Sequence, residues 1–119
     1  MSLAVGSTLD YQPFRCDVVP ERDAVRVKPV GELDIATSGE VAARLDELRE
    51  AGFRRLVLDL SALTFIDSSG IQAIMQARRA ADRDHVPLVV VPGPPAVQRV
   101  FTLTGVADHV FAERPSVTA

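Results

Sequence analysis

The chain has 119 residues, 47% of them hydrophobic, which suffices for one core and is too short for two domains. Thirteen Lys and Arg against sixteen Asp and Glu leave a formal net charge of -3, so the clustered positive charge that nucleic acid requires is missing and no direct nucleic-acid partner is expected. A single cysteine, Cys16, excludes an intrachain disulfide and a cysteine-built zinc site, which suits a reducing cytoplasm; no run approaches the ~20 apolar residues that cross a bilayer, and no leader pattern opens the chain.

Residues 1 to 12 carry no sustained period and read as a loose lead-in to a domain spanning 13 to 112, with 113 to 119 as a tail. Phe14, Cys16 and Val18 alternate, "VPERDA" supplies a polar turn, and Val25 and Val27 resume the alternation, which predicts a β-hairpin. Cys16 then reads as a buried, inert thiol. Pro29, with no N–H, falls on the apolar phase of the second strand, so that strand is expected to be an edge, bulged, or finished by that point.

"GELDIATSGEVAARLDELREAG" changes the period from two to about 3.6. Val41, Leu45 and Leu48 fall on one face, Thr37 and Glu40 have capping-box spacing, and Gly52 is placed to end the helix. "RRLVLDLSAL" has the composition of a central strand covered on both faces. "SSGIQAIMQARRAADRD" predicts a second helix with Ile71, Ile74, Met75, Ala77 and Ala81 on its inner side. "VPLVVVPG" is a third interior-type strand and "PPAVQRVFTLTG" a third helix that stops at Gly105, while "DHVFAE" reads as a short last strand. The paired basic residues Arg54 with Arg55 and Arg78 with Arg79 sit among acids and read as solvated faces. The alternation of strand and helix predicts parallel strands joined by right-handed crossovers, mixed with the initial hairpin.

Three kinds of chemistry find no support in the motifs. No G-x-S-x-G elbow surrounds the serines of "FIDSSGI", His85 and His109 have no spacing that ties them to those serines or to a metal, and no phosphate-cradling glycine frame occurs. No catalytic residue, metal or cofactor is therefore assigned. Ser68 and Ser69 lie where a strand-like run meets a helix, a position that asks for a cap oxygen or an anion. One reading makes a serine the N-cap. The other notes that two serines offer one hydroxyl more than a cap needs, and that a phosphate there would add roughly -1.5 to -2 of charge beside Asp67. "GELD", residues 31 to 34, has the same two readings: Gly31 permits a turn and Asp34 prepares a helix, or Asp34 joins Asp67 and the serines in one patch. The second follows if the preceding strands are parallel neighbours, because both loops would then emerge at one sheet edge.

"VGELDIATSGEV", "LVLDLSALTFIDSSGIQAIM" and "PPAVQRVFTLTGVADHVF", in this order, resemble the STAS family, in particular the bacterial anti-sigma-factor antagonists. The resemblance implies an α/β fold: one STAS-like domain with a mixed, mostly parallel sheet of about five strands that starts with a hairpin, three main helices, and a C-terminal family helix that is short or absent. It also implies a non-enzyme. The unphosphorylated protein would bind an anti-sigma factor that is also a serine kinase and so release the sigma factor; phosphorylation would end that binding, and a separate serine phosphatase would reset it. By the same resemblance the phosphoacceptor is Ser68, and Asp34, Asp67, Ser68, Ser69 and Gly70 form the partner-binding set. Two other readings compete: a STAS scaffold subunit of a signalling or lipid-transport complex, with the serines as an unused cap, and a small doubly wound enzyme or nucleotide-binding domain.

Overall fold

The computed structural model describes residues 13 to 111; the expected lead-in and tail lie outside them. A hairpin comes first, β1 (Arg15–Glu21) and β2 (Ala24–Leu33), followed by helix α1 (Ser38–Glu50). Strands β3 (Arg55–Asp59) and β4 (Leu63–Ile66), helix α2 (Ser68–Arg83), strand β5 (Leu88–Val91), helix α3 (Pro95–Leu103) and the short helix α4 (Ala107–Phe111) complete it. The sheet order is β1-β2-β3-β5, with β4 also against β2; β1 and β2 are antiparallel and every other pair is parallel. The expected mixed α/β domain with five strands and three main helices is what forms.

Two expectations about strands need correction. Of the expected last strand "DHVFAE", the described residues "DHVF" belong to α4 instead: Val110 is buried as a helical residue and Phe111 meets Phe101 edge-on, their ring centroids 4.9 Å apart. The fifth strand is instead β4, hidden in the sequence because it continues the line of β3. Val27 pairs with Leu58 and Gly31 with Leu63, so β3 and β4 together flank one side of β2. Between them Asp59 Oδ1 accepts the Ser61 N–H at 2.9 Å and Leu60 C=O accepts the Leu63 N–H at 3.1 Å, a turn that breaks the run "LDLSAL".

The same partner change explains Pro29. The second strand does not stop there but runs on to Leu33, and Pro29 is buried opposite Cys16. It sits between the last residue paired with β3 and the first paired with β4, where a residue without an N–H removes no bond to either. The expected turn at Gly31 is a bulge within the strand: its φ is 115°, and the register with β4 shifts between Gly31 and Glu32.

One continuous core joins Val25, Val27 and Leu33 of β2, Leu56 and Leu58 of β3, Val41 and Leu45 of α1, Ile71 and Ile74 of α2, and Phe101 of α3. The 3.6-residue spacings therefore point where the sequence predicts. Met75 and Leu48 are only half-buried, and Gly52 and Gly105 follow α1 and α3 at positive φ.

Burial reverses one reading of charge. Arg54, Arg55 and Arg79 are solvated as expected, but Arg78 is 2% exposed; its Nη1 donates to Leu88 C=O at 2.7 Å and its Nη2 to Val110 C=O, tying α2 to β5 and α4. It lies seven residues after Ile71 and four after Ile74, on the helix's inner face, so its position and not its neighbours decides its fate. Asp59, 7% exposed, is the other buried charge among the described residues. Its Oδ2 accepts Arg26 Nη1 at 2.9 Å, and Arg26 Nε also donates to Glu21 at 2.9 Å. Burial works against the Asp59 carboxylate, yet the Ser61 hydrogen bonds and the Arg26 guanidinium outweigh it and hold the carboxyl below its ordinary value.

Candidate functional site

Leu33 ends β2 and Ile66 ends β4, and the two residues are register partners in a parallel pair. The loops that follow, led by Asp34 and Asp67, therefore leave the sheet side by side at one edge, and the Asp67 N–H donates to Leu33 C=O at 3.2 Å. The structure thus brings together the two acidic loops that the sequence could join only by assuming adjacent strands.

At the second loop, the cap is Asp67 and not a serine. Its backbone is extended (φ -121°, ψ -171°) and its Oδ1 accepts the N–H groups of Ser69 at 2.9 Å and Gly70 at 3.3 Å. Its own carbonyl accepts the Ile71 N–H at 3.1 Å, the first bond of α2. Ser68 is the first residue of the helix and exposed, Ser69 is half-exposed, and Gly70 is buried. Ser69 is structural through its backbone N–H. Neither serine hydroxyl has a hydrogen-bond partner among the described residues.

Gly70 acts by close approach. A Cβ there would lie 2.8 Å from Ile66 Cγ1 and 2.9 Å from both Leu33 Cγ and Leu33 C=O, so only glycine lets α2 begin directly against the ends of β2 and β4. That contact sets how far Ser68 stands from the sheet edge. Gly70 itself presents no side chain to a partner.

The first loop is stitched differently. Asp34 Oδ1 accepts the N–H groups of Ala36 at 3.0 Å and Thr37 at 3.2 Å. Thr37 occupies the N-cap position of α1, but its hydroxyl turns back into the loop, donating to Glu32 C=O at 2.7 Å and accepting the Asp34 N–H at 2.9 Å. The expected capping box with Glu40 is thus replaced by an Asp-led turn, because the hydroxyl's two partners lie upstream rather than in the helix. Among the described residues, all hydrogen bonds to the Asp34 and Asp67 carboxylates go to Oδ1.

Two exposed apolar side chains at this edge were not singled out by the sequence. Ile35, between Asp34 and Ala36, is 82% exposed, and Phe65, one residue before the end of β4, is 46% exposed. An isoleucine placed outside the helical and strand periods on either side is the signal that could have found the first of them.

The remaining candidates lie elsewhere. His85 and His109 are exposed, one at a left-handed turn (φ 59°) and one on α4, and among the described residues no three His, Cys, Asp or Glu side chains gather as metal ligands. Cys16 is half-buried on β1, and burial first, with Glu40 next, pushes its thiol up to about 11, as expected for an unreactive group. No described helix is long and apolar enough to cross a membrane.

Known proteins resemble this chain in sequence and fold. The STAS domain model matches residues 17–118. The anti-sigma-B factor antagonist of Staphylococcus aureus is 28% identical over 82 residues, covering 69% of this chain and 76% of that protein. Among solved structures, an anti-sigma factor antagonist from Mycobacterium paratuberculosis superposes with a TM-score of 0.74 at 24% identity, covering 89% of each chain. The anti-sigma factor antagonist SpoIIAA shares the fold in its unphosphorylated form (TM-score 0.67, 20% identity, 87% of this chain and 89% of that one). It does so also as the phosphorylated Bacillus cell fate determinant (0.62, 18%, 87% and 92%).

Proposed function

The chain belongs to the STAS domain family, and we propose that within it the protein is an anti-sigma-factor antagonist switched by phosphorylation of Ser68. In the unphosphorylated form it binds an anti-sigma factor that is also a serine kinase, and the sigma factor is released. That kinase then transfers phosphate from ATP to the Ser68 hydroxyl, the complex separates, and a serine phosphatase restores the first state. The chain supplies the acceptor and the docking surface, and the catalytic groups belong to its partners.

The observation that carries this reading is the Ser68 hydroxyl, exposed at the first residue of α2 while Asp67 performs the capping. Modification there disturbs no internal hydrogen bond of that hydroxyl. The Ser69 and Gly70 N–H groups are already engaged by Asp67, so a phosphate would not be absorbed by the helix terminus and would add its charge to the surface beside Asp67 and Asp34. A partner that favours the unphosphorylated surface then loses affinity through repulsion and desolvation, and the switch needs no large motion. The likeness to the Staphylococcus aureus anti-sigma-B factor antagonist supports the antagonist role. The existence of SpoIIAA in a phosphorylated form with this fold supports phosphorylation as compatible with it.

Phosphopeptide mapping after incubation with the cognate kinase and ATP tests the assignment. Label on the peptide at Ser68, abolished in Ser68→Ala and retained in Ser69→Ala, is expected. Label on Ser69 alone would remove Ser68 from its role.

A further inference from the structure

Ile35 is the most exposed large hydrophobic side chain among the described residues, and it is also held on one of the most thoroughly bonded loops. Asp34, before it, receives two backbone N–H groups on one oxygen; Thr37, after it, ties Glu32 C=O and the Asp34 N–H together. A side chain on a slack loop can fold back onto apolar surface. Here the backbone on both sides is fixed, and the isoleucine is kept in water at the edge that carries Ser68. Phe65 adds a second exposed apolar group, register partner of the exposed Glu32 on the neighbouring strand.

The charges of the two loops have one sign. Glu32, Asp34 and Asp67 stand at the ends of β2 and β4, and residues 29 to 39 and 60 to 77 contain no Lys or Arg. An apolar anchor within an acidic surround is complementary to an apolar socket rimmed by basic side chains.

We propose that Ile35, seconded by Phe65, is the apolar anchor by which this edge docks its protein partner, and that the partner's matching surface is an apolar socket with a basic rim. The proposal rests on the reading of the Ser68 edge as the surface that meets the anti-sigma factor kinase. It divides the work at that edge: Ile35 supplies affinity in both phosphorylation states, and Ser68 supplies the difference between them. Anchors of this kind dominate interfaces when they are rigid before binding, because little ordering entropy remains to be lost.

The test uses the full chain and the purified anti-sigma factor kinase of the source cell, with affinity measured by calorimetry for wild type, Ile35→Ser, Ile35→Leu and Ser68→Asp. Ile35→Ser is expected to weaken binding by at least about 30-fold, the lower bound of a hot-spot loss. Its melting temperature should match wild type, since the side chain is exposed, and Ile35→Leu should stay within about threefold of wild type. Wild-type affinity should fall as salt is raised, by screening of the acidic edge. Ile35→Ser binding like wild type while Ser68→Asp fails to bind would overturn the anchor and leave the Ser68 reading standing. Wild type and Ser68→Asp binding alike would overturn the Ser68 reading, and a partner that wild type does not bind would overturn both. Affinity that is indifferent to salt would overturn the basic rim.

Discussion

The two loops at the edge of the sheet begin alike and differ in whether a hydroxyl is spent on holding them. Each opens on an aspartate directly after the last residue of one of two paired parallel strands, and each aspartate turns Oδ1 onto two N–H groups that follow it. After Asp34, the hydroxyl at the cap position, that of Thr37, is consumed in holding the loop, while Ser38, the first residue of α1, contributes no side-chain bond to it. After Asp67, two hydroxyls are available and the structure consumes neither. An aspartate that caps alone relieves its neighbours of structural duty, and a residue so relieved can be modified without loosening the fold.

Substitutions can break or sharpen this contrast. The largest effect is expected at Gly70, where a Cβ meets both backbone and side chain of Leu33: Gly70→Ala should cost about 2–3 kcal/mol in denaturant unfolding, by overpacking. A neutral Gly70→Ala would mean that the start of α2 is not set by that contact.

Asp59 is a third aspartate, and it uses both of its oxygens, one on the Ser61 N–H and one on Arg26. Asp59→Asn should cost about 1–2 kcal/mol at neutral pH. Because the folded carboxyl lies below its ordinary value, its contribution is complete above the ordinary carboxylate pKa of about 4 and is lost as pH falls through the folded one. The difference in melting temperature between wild type and Asp59→Asn should therefore be constant between about pH 6 and 8 and narrow below about pH 4. A gap that widens on acidification would contradict the assigned sign.

The two loops themselves predict smaller, unequal effects. Asp67→Ala and Thr37→Val should each cost about 1 kcal/mol, one by losing a cap and the other by losing two hydrogen bonds. Ser68→Ala should lie within about 0.5 kcal/mol of wild type. If Thr37→Val proved as silent as Ser68→Ala, the contrast between the loops would collapse.

How much of this the sequence carried depends on how local each cause is. The hairpin, the three main helices and the acidic loops are written in periods and turn residues within a dozen positions, and they formed where expected. Strand β4 was not visible, since "LTFI" continues the apolar run of β3 and only its pairing with Gly31 and Leu33 sets it apart. Val110 likewise alternates with its neighbours in a strand-like way, yet its burial within α4 makes "DHVF" helical. Arg78 read as a surface charge because burial is a property of the assembled layers. At the site, the residue types pointed to Ser68 or Ser69 as a cap; that Asp67 had already taken the role is a matter of hydrogen-bond geometry.

The central claim is that the unused Ser68 hydroxyl is the switch, and the most direct test is the affinity of the anti-sigma factor kinase for this protein before and after stoichiometric phosphorylation. The prediction is a loss of at least about 30-fold, about 2 kcal/mol, with the far-ultraviolet circular dichroism spectrum unchanged and Ser68→Ala binding like the unphosphorylated form. Equal affinity of the two forms would contradict it and would leave a STAS domain that binds without switching.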